Sequence, residues 1–221
     1  MTTNNRKIDG FISEQVDKWK QRTESHVPVI TLSTEPGSGG HIIAGIVAEQ
    51  LNISLYDRDI IRAIAESAKA SEAVIASMEK ERLSAMEDFI ASLMDDKYLW
   101  RGLYLTHLVK VVSAIASHGN AFIVGRGANF ILPAADCLRL RVIAPLEQRI
   151  AHVAQRFGVS EEEARRRVVN REKARNNFIR QAYNADGRNP QHYDLVLNTH
   201  SLSVEECAGA IVGAVMGQPQ K

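Results

Sequence analysis

Directly behind the apolar run Val27-Pro-Val-Ile-Thr-Leu-Ser33 stands Thr34-Glu-Pro-Gly-Ser-Gly-Gly-His-Ile-Ile-Ala44. Gly37, Gly39 and Gly40, with Ser38 among them, let successive backbone N–H groups turn toward one anion. A helix beginning at His41 adds its unpaired amide donors and the positive end of its dipole. Such a bend cradles phosphates, which makes Gly37, Ser38, Gly39, Gly40 and His41 the candidate nucleotide-binding residues. The full phosphate-loop pattern, G-x-x-x-x-G-K-[ST], is not met. With Gly39 at the last glycine position, Thr34 stands at the first glycine, Gly40 at the lysine and His41 at the serine or threonine. The loop therefore lacks the ammonium that meets the β/γ-phosphates and the hydroxyl that usually ligates Mg²⁺. Backbone cradling survives both losses, so binding is expected to persist better than catalysis. His41 either donates to a phosphate or caps the helix. The alternative to the whole reading is a tight glycine turn that binds nothing.

Arginines are the other candidates. Arg126, in Val124-Gly-Arg-Gly-Ala128, follows an apolar run, and ligands of open α/β sheets bind beyond the carboxyl ends of such strands. A planar guanidinium there grips a monophosphate with two hydrogen bonds; a surface arginine in a turn is the plain alternative. Arg58 follows Tyr56-Asp57 at the end of another run and is a further site candidate, whereas Asp57 reads as a helix N-cap. The segment from Glu161 carries Arg165, Arg166, Arg167, Arg171, Lys173, Arg175 and Arg180. Charge runs of this kind are usually solvated faces, but Arg171 and Arg175 are four apart and project from one side of a helix. Asp194 reads as a buried strand-edge carboxylate paired with an arginine. His107, His118, His152, His192 and His200 have no metal-ligand spacing.

These residues need a frame. Val27–Ser33, Ile53–Tyr56, Ala121–Gly125, Leu138–Ala144 and Tyr193–Asn198 read as five buried strands, the clearest of them nearly continuous in Val, Ile and Leu, as expected for strands covered on both faces. Helical patterns alternate with them, which favours a parallel α/β sheet flanked by helices. About 59–118 reads as a helical insertion between the second and third strands, forming a flap over the ligand edge; its Tyr98, Trp100 and Tyr104 either pack in a core or stack on a base. Residues 1–26 read as a polar tail and an amphipathic helix with Ile8, Phe11, Ile12, Val16 and Trp19 on one side. That helix packs on the core or on a partner, and a homodimer built on it or on the insertion is a further possibility. Ser160-Glu-Glu-Glu163 and Ser203-Val-Glu-Glu206 both fit capping boxes. The first opens a helix over about 160–183 and the second a C-terminal helix. One main domain over 27–216 and a frayed tail over 217–221 complete the layout.

Composition narrows the class. The chain has 221 residues, a formal charge of +1 and 24% charged residues of mixed sign. That balance argues against a general nucleic-acid binder. Two cysteines, Cys137 and Cys207, lie far apart without a metal or redox spacing. The N-terminus lacks an apolar leader, and no stretch approaches the roughly 20 apolar residues of a membrane helix. A cytoplasmic protein with no membrane partner is the expectation.

Taken in order, Ile30–Ala44, Ala48–Arg58, Phe122–Leu132, Arg141–Arg149 and Tyr193–Thr199 resemble the cytidylate kinase-like family over about residues 27–213. This resemblance implies the P-loop NTPase fold of nucleoside-monophosphate kinases. It also implies ATP as donor, Mg²⁺, and CMP or a related pyrimidine monophosphate as acceptor. By resemblance Arg126 holds the acceptor phosphate, and Arg171 and Arg175 fall on the lid that closes over the transferring phosphoryl. Delocalised cations stabilise the charge spread over that group. Arg180 is carried with them as a substrate contact. The chain departs from the family at Thr34, where an arginine is usual, and at Val124 and Gly127, which replace the acidic residues flanking Gly125-Arg126. These departures, with the missing loop lysine, leave open a nucleotide-binding or regulatory protein without useful turnover.

Overall fold

The computed structural model describes residues 10–17, 19, 27–66, 68–78, 83, 86, 87, 90 and 99–217. Five parallel strands, β1 (Val29–Thr34), β2 (Ser54–Tyr56), β3 (Ala121–Val124), β4 (Cys137–Ile143) and β5 (Leu195–Asn198), form one sheet in the order β2-β3-β1-β4-β5. Around it lie α1 (Gly40–Gln50), α2 (Arg58–Glu66), α3 (Ala68–Ile75), α4 (Leu99–Ser117), α5 (Ala128–Ile131), α6 (Leu146–Phe157), α7 (Glu161–Tyr183) and α8 (Val204–Met216). The α/β arrangement expected from the apolar runs is the one observed, including helices between β2 and β3. Each strand differs from expectation by a residue or two at one or both ends, because ladder pairing and not hydropathy sets them. The chain moves from central β1 to one side for β2 and β3, then crosses to the other for β4 and β5. The loops leaving the strand ends diverge at β1, and that is where such sheets bind ligands.

Near-continuous apolar strands resolve into two cores because successive side chains point to opposite faces. Ile30, Leu32, Phe122, Val124, Leu138, Leu140 and Val142 pack with Ile43 and Val47 of α1 and Ile211 of α8. Val29, Ile123 and Tyr56 face the other way, onto Ile61, Ile64, Val74, Leu108, Val112 and Ile115 of α2, α3 and α4. The described insertion helices therefore cover a sheet face, where a flap over its edge was expected, since their own apolar residues need that surface. Residues 10–17 pack on the same core: Ile12 is buried, and buried Gln15 accepts hydrogen bonds from Ser54 Oγ (2.7 Å) and Tyr56 OH (3.2 Å). Trp19 stacks on His118 with ring centroids 4.1 Å apart. Ile8, Tyr98, the side chain of Trp100 and the tail beyond residue 217 lie outside the described residues. A third small core, Ile150 with Ala164 and Val168, clamps α7 to α6. No described helix is long and apolar enough to cross a membrane.

Caps act where serine precedes an acidic first turn. Ser203 and Glu206 form the full reciprocal box at α8. At α7 only half of the expected box forms: Ser160 accepts from Glu163 N (3.3 Å), while the Glu163 carboxylate turns to Arg166 and Arg167. Two nearby cations outcompete one neutral amide for it.

Candidate functional site

β1 runs straight into the glycine bend. Glu35 N donates to Val142 O (3.0 Å) and Ser38 N to Glu35 O (3.1 Å). Ser38, 1% exposed, donates its hydroxyl to Glu35 O (2.8 Å) and meets Thr34 Oγ1 at 2.9 Å. Thr199 Oγ1 donates to Ser38 O (3.0 Å), and His152 Nδ1 lies 3.1 Å from Gly37 O. The carbonyls are thus held by neighbouring elements. Among the described residues the amides of Gly37, Gly39, Gly40 and His41 donate to no protein acceptor. Unpaired amides at the start of α1 are the donor set an anion needs. Gly37 is left-handed (φ 87°), and a Cβ there would lie 2.5 Å from Arg149 O, so only glycine fits. Gly39, also left-handed, is the N-cap of α1 and has no capping side chain. Among the described residues no hydrogen bond from the His41 side chain caps the helix.

Beside the bend lies a buried ionic chain. Glu35 accepts from Arg141 at 2.9 Å and lies 3.5 Å from Arg149, and Arg149 pairs in turn with Glu172 of α7 at 2.8 Å. The side chains of Arg141 and Arg149 are only 5% and 6% exposed. Their remaining donors reach carbonyls: Arg141 to Gly187 O (2.7 Å) and Arg149 to Ala144 O (2.9 Å). Glu35 also accepts from Ala144 N at 3.3 Å. Every charge here is paired and hydrogen-bonded, as burial requires.

Arg175 completes this group and differs from it. Its guanidinium donates to Thr34 O (2.5 Å) and Asn176 Oδ1 (3.4 Å), and among the described residues it pairs with no carboxylate. Burial, then the neighbouring Arg141 charge, lowers its pKa. One turn earlier, Arg171 is pushed down by partial desolvation and by Arg58. His41, exposed on the first turn of α1, has its pKa lowered below 6.5 by desolvation and by Arg171, Arg58 and Arg156, with Asp57 opposing. Asp57 caps α2 as expected, accepting from Asp59 N and Ile60 N at 2.8 Å each.

Arg126 occupies a strained turn. It is left-handed (φ 56°) between left-handed Gly125 and Gly127, a conformation that costs a non-glycine residue about 1 kcal/mol or more. Tyr183, at the end of α7, packs its ring against Gly127 and donates its hydroxyl to Arg126 O at 2.8 Å. Arg126 donates weakly to Arg58 O (3.5 Å), and its buried Nε has no partner among the described residues. Burial, then Arg58 and Arg62, lowers its pKa.

A sequence profile of the cytidylate kinase-like family matches residues 29–201, the stretch that holds the bend, the Arg126 turn and α7. The chain belongs to the cytidylate kinase-like family. The cytidylate kinase of Methanopyrus kandleri is 29% identical over 197 residues, 85% of this chain and 92% of that protein. That of Sulfolobus acidocaldarius is 26% identical over 186 residues, 84% and 93% of the two chains. The solved structure of an uncharacterized protein from Eubacterium ventriosum ATCC 27560 superimposes with a TM-score of 0.69 at 19% identity, covering 87% of this chain and 99% of the other. That last likeness is one of fold.

In this cytidylate kinase-like chain the sequence-predicted residues fall into two groups and an outlier. Gly37 to His41, Arg171 and Arg175 gather at the end of β1. Arg58 and Arg126 meet at the ends of β2 and β3. Arg180 joins neither: it lines a groove between α6 and α7 with Arg149, Lys173 and Arg188. At 100° per residue it sits about 140° round the helix from Arg175. Asp194 is paired as expected, bidentate to Arg139 at 2.6 and 3.1 Å, but it is exposed and not buried, because β5 is an edge strand. Glu35, Arg141, Arg149 and Glu172 were not foreseen. Arg139 and Arg141 alternate with Leu138, Leu140 and Val142, so period two alone marks a charged face at the end of β4. A Mg²⁺ carried by nucleotide phosphates needs only one or two oxygens from a protein. Among the described residues no three His, Cys, Asp or Glu side chains are grouped to hold a metal, and Glu35 is committed to two arginines.

Proposed function

We propose that the chain transfers the γ-phosphoryl group of ATP to a nucleoside monophosphate, CMP or a related pyrimidine nucleotide. The observation that carries this reading is the bend of unpaired amides at the end of β1, next to an arginine with no carboxylate partner. The amides of Gly37, Gly39, Gly40 and His41 hold the donor's β-phosphate. Arg175 and Arg171 stand over the group in transfer, where charge spreads over three equatorial oxygens. Arg126, assisted by Arg58, holds the acceptor's phosphate. A phosphate monoester loses its second proton with a pKa near 6, so its attacking oxygen is anionic at neutral pH and needs no side-chain base. Kinases of this kind generally act on a nucleotide carrying a divalent ion. The nucleotide archaeal relatives named cytidylate kinases supply the pyrimidine choice.

ADP formation from ATP tested across CMP, dCMP, UMP and AMP, with ATP binding measured on the same sample, decides it. Acceptor-dependent ADP with CMP or UMP is the expected result. ATP binding without acceptor-dependent turnover leaves a nucleotide binder, a reading favoured by the lack of a loop lysine. Loss of neither activity nor binding in Arg126→Ala and Arg171→Ala removes the site assignment.

A further inference from the structure

Gly40 stands where a phosphate loop carries lysine, yet its backbone does not require glycine: it is helical and absent from the positive-φ glycines. What excludes a side chain is Thr34. A Cβ on Gly40 would lie 2.6 Å from Thr34 Cβ and closer still to Thr34 Oγ1. Real Cβ atoms do not approach that near, and Thr34 is not free to swing aside. Its hydroxyl is bound to Ser38 Oγ (2.9 Å) and lies 3.4 Å from Glu35 O. Thr34 in turn occupies the position of the loop's first glycine. The two departures from the phosphate-loop pattern are therefore one exchange of volume between facing residues.

The same residue carries the substitute charge. Thr34 O receives Arg175 Nη1 at 2.5 Å, so the guanidinium rests against the residue that blocks the lysine. The charge count supports a role for it. Arg141, Arg149 and Arg175 face Glu35 and Glu172, three positive charges against two negative, and the surplus belongs to Arg175, whose partners are neutral. A desolvated cation without a counter-ion beside unpaired amides is arranged for an anion.

We infer that Thr34 is a positioning residue that closes the space of a loop lysine and transfers its task to Arg175, so that the cation facing the β- and γ-phosphates arrives from α7. This rests on the phosphotransfer reading above. It implies that the two arrangements are mutually exclusive in single variants and interchangeable when both positions change.

The test uses the full chain and four variants: Gly40→Lys, Thr34→Gly/Gly40→Lys, Arg175→Ala, and Arg175→Ala in the double-variant background. Thermal unfolding, inorganic tripolyphosphate binding and ATP binding are read for each. Gly40→Lys alone is expected to lower the melting temperature by about 4 °C or more through overpacking. Adding Thr34→Gly should raise it again despite the extra glycine, a reversal that only relief of the clash produces. Arg175→Ala should weaken tripolyphosphate and ATP at least tenfold in the natural loop and less than threefold in the lysine-bearing one. An unchanged melting temperature in Gly40→Lys overturns the steric part. Equal losses from Arg175→Ala in both backgrounds overturn the exchange. Failure of the unmodified chain to bind either polyphosphate overturns the phosphotransfer reading instead, while the melting temperatures still judge the volume exchange.

Discussion

Glu35→Gln keeps the shape of a side chain and removes its charge, and it should move stability and anion affinity in opposite directions. The carboxylate, 13% exposed, serves Arg141 at 2.9 Å, Arg149 at 3.5 Å and Ala144 N at 3.3 Å. Removing one partner of a buried ion pair costs about 3–5 kcal/mol. The loss here is smaller, because Arg141 keeps Gly187 O, and Arg149 keeps Ala144 O and Glu172. About 2–3 kcal/mol remains. For a chain of this size each kcal/mol moves the melting temperature by about 2–4 °C, so a fall of roughly 4–12 °C is expected. Meanwhile the surplus of one positive charge beside the bend becomes two. At an effective dielectric near 20 and a separation near 8 Å, that added charge attracts a phosphate by about 1–2 kcal/mol, a fivefold to thirtyfold gain in affinity. Thermal unfolding by circular dichroism and calorimetric titration with tripolyphosphate at low salt measure the two effects on one sample. A melting temperature within about 1 °C of the natural chain would show that the buried pairs contribute nothing net. Weaker tripolyphosphate binding in a folded variant would show that Glu35 shapes the bend and does not offset its charge, and the charge count would fall.

Three further outcomes follow from other contacts. Arg126→Gly relieves a left-handed arginine and should raise stability by about 0.5–1 kcal/mol in urea unfolding, while raising the acceptor KM at least tenfold; a loss of stability would contradict the strain. His41 is held below its usual pKa in the free protein, so a polyphosphate beside it should raise that pKa and draw in protons as pH falls through the ordinary histidine range. Calorimetry in two buffers of different ionisation enthalpy reads this uptake, and His41→Asn should abolish it; no buffer dependence in the natural chain removes His41 from the phosphate. Asp194 is held below its usual pKa by Arg139, so its stabilisation is present above the unfolded value of about 3.9 and disappears as pH falls through the folded one. Asp194→Asn should therefore cost about 1 kcal/mol at pH 7 and progressively less as pH falls below the unfolded value; a cost independent of pH would assign the effect to packing.

The frame was legible in the sequence where local rules decide it. Near-continuous Val, Ile and Leu marked the strands, serine followed by glutamate marked the start of α7, and the residues Gly37 to Gly40 marked the bend. The paired charges were not legible, because Glu35 meets Arg141 and Arg149 across more than 100 residues of chain, and no local period records such a meeting. Arg180 was misgrouped with Arg171 and Arg175 although helical geometry separates it. The half-formed box at Ser160 shows the same limit on a smaller scale: the motif fixes which groups are near, while competition from Arg166 and Arg167 decides which bond forms.

Helix α7 touches the glycine bend through Arg175 and the Arg126 turn through Tyr183, eight residues or roughly 12 Å apart along one rigid axis. It is joined to α6 by a short connection after left-handed Gly158. Clamped to α6 through Ile150, Ala164 and Val168, it holds both contacts at one spacing, as the two jaws of a caliper share one beam. On the function proposed above, the spacing of the two nucleotides is therefore set by the helix and not by either ligand.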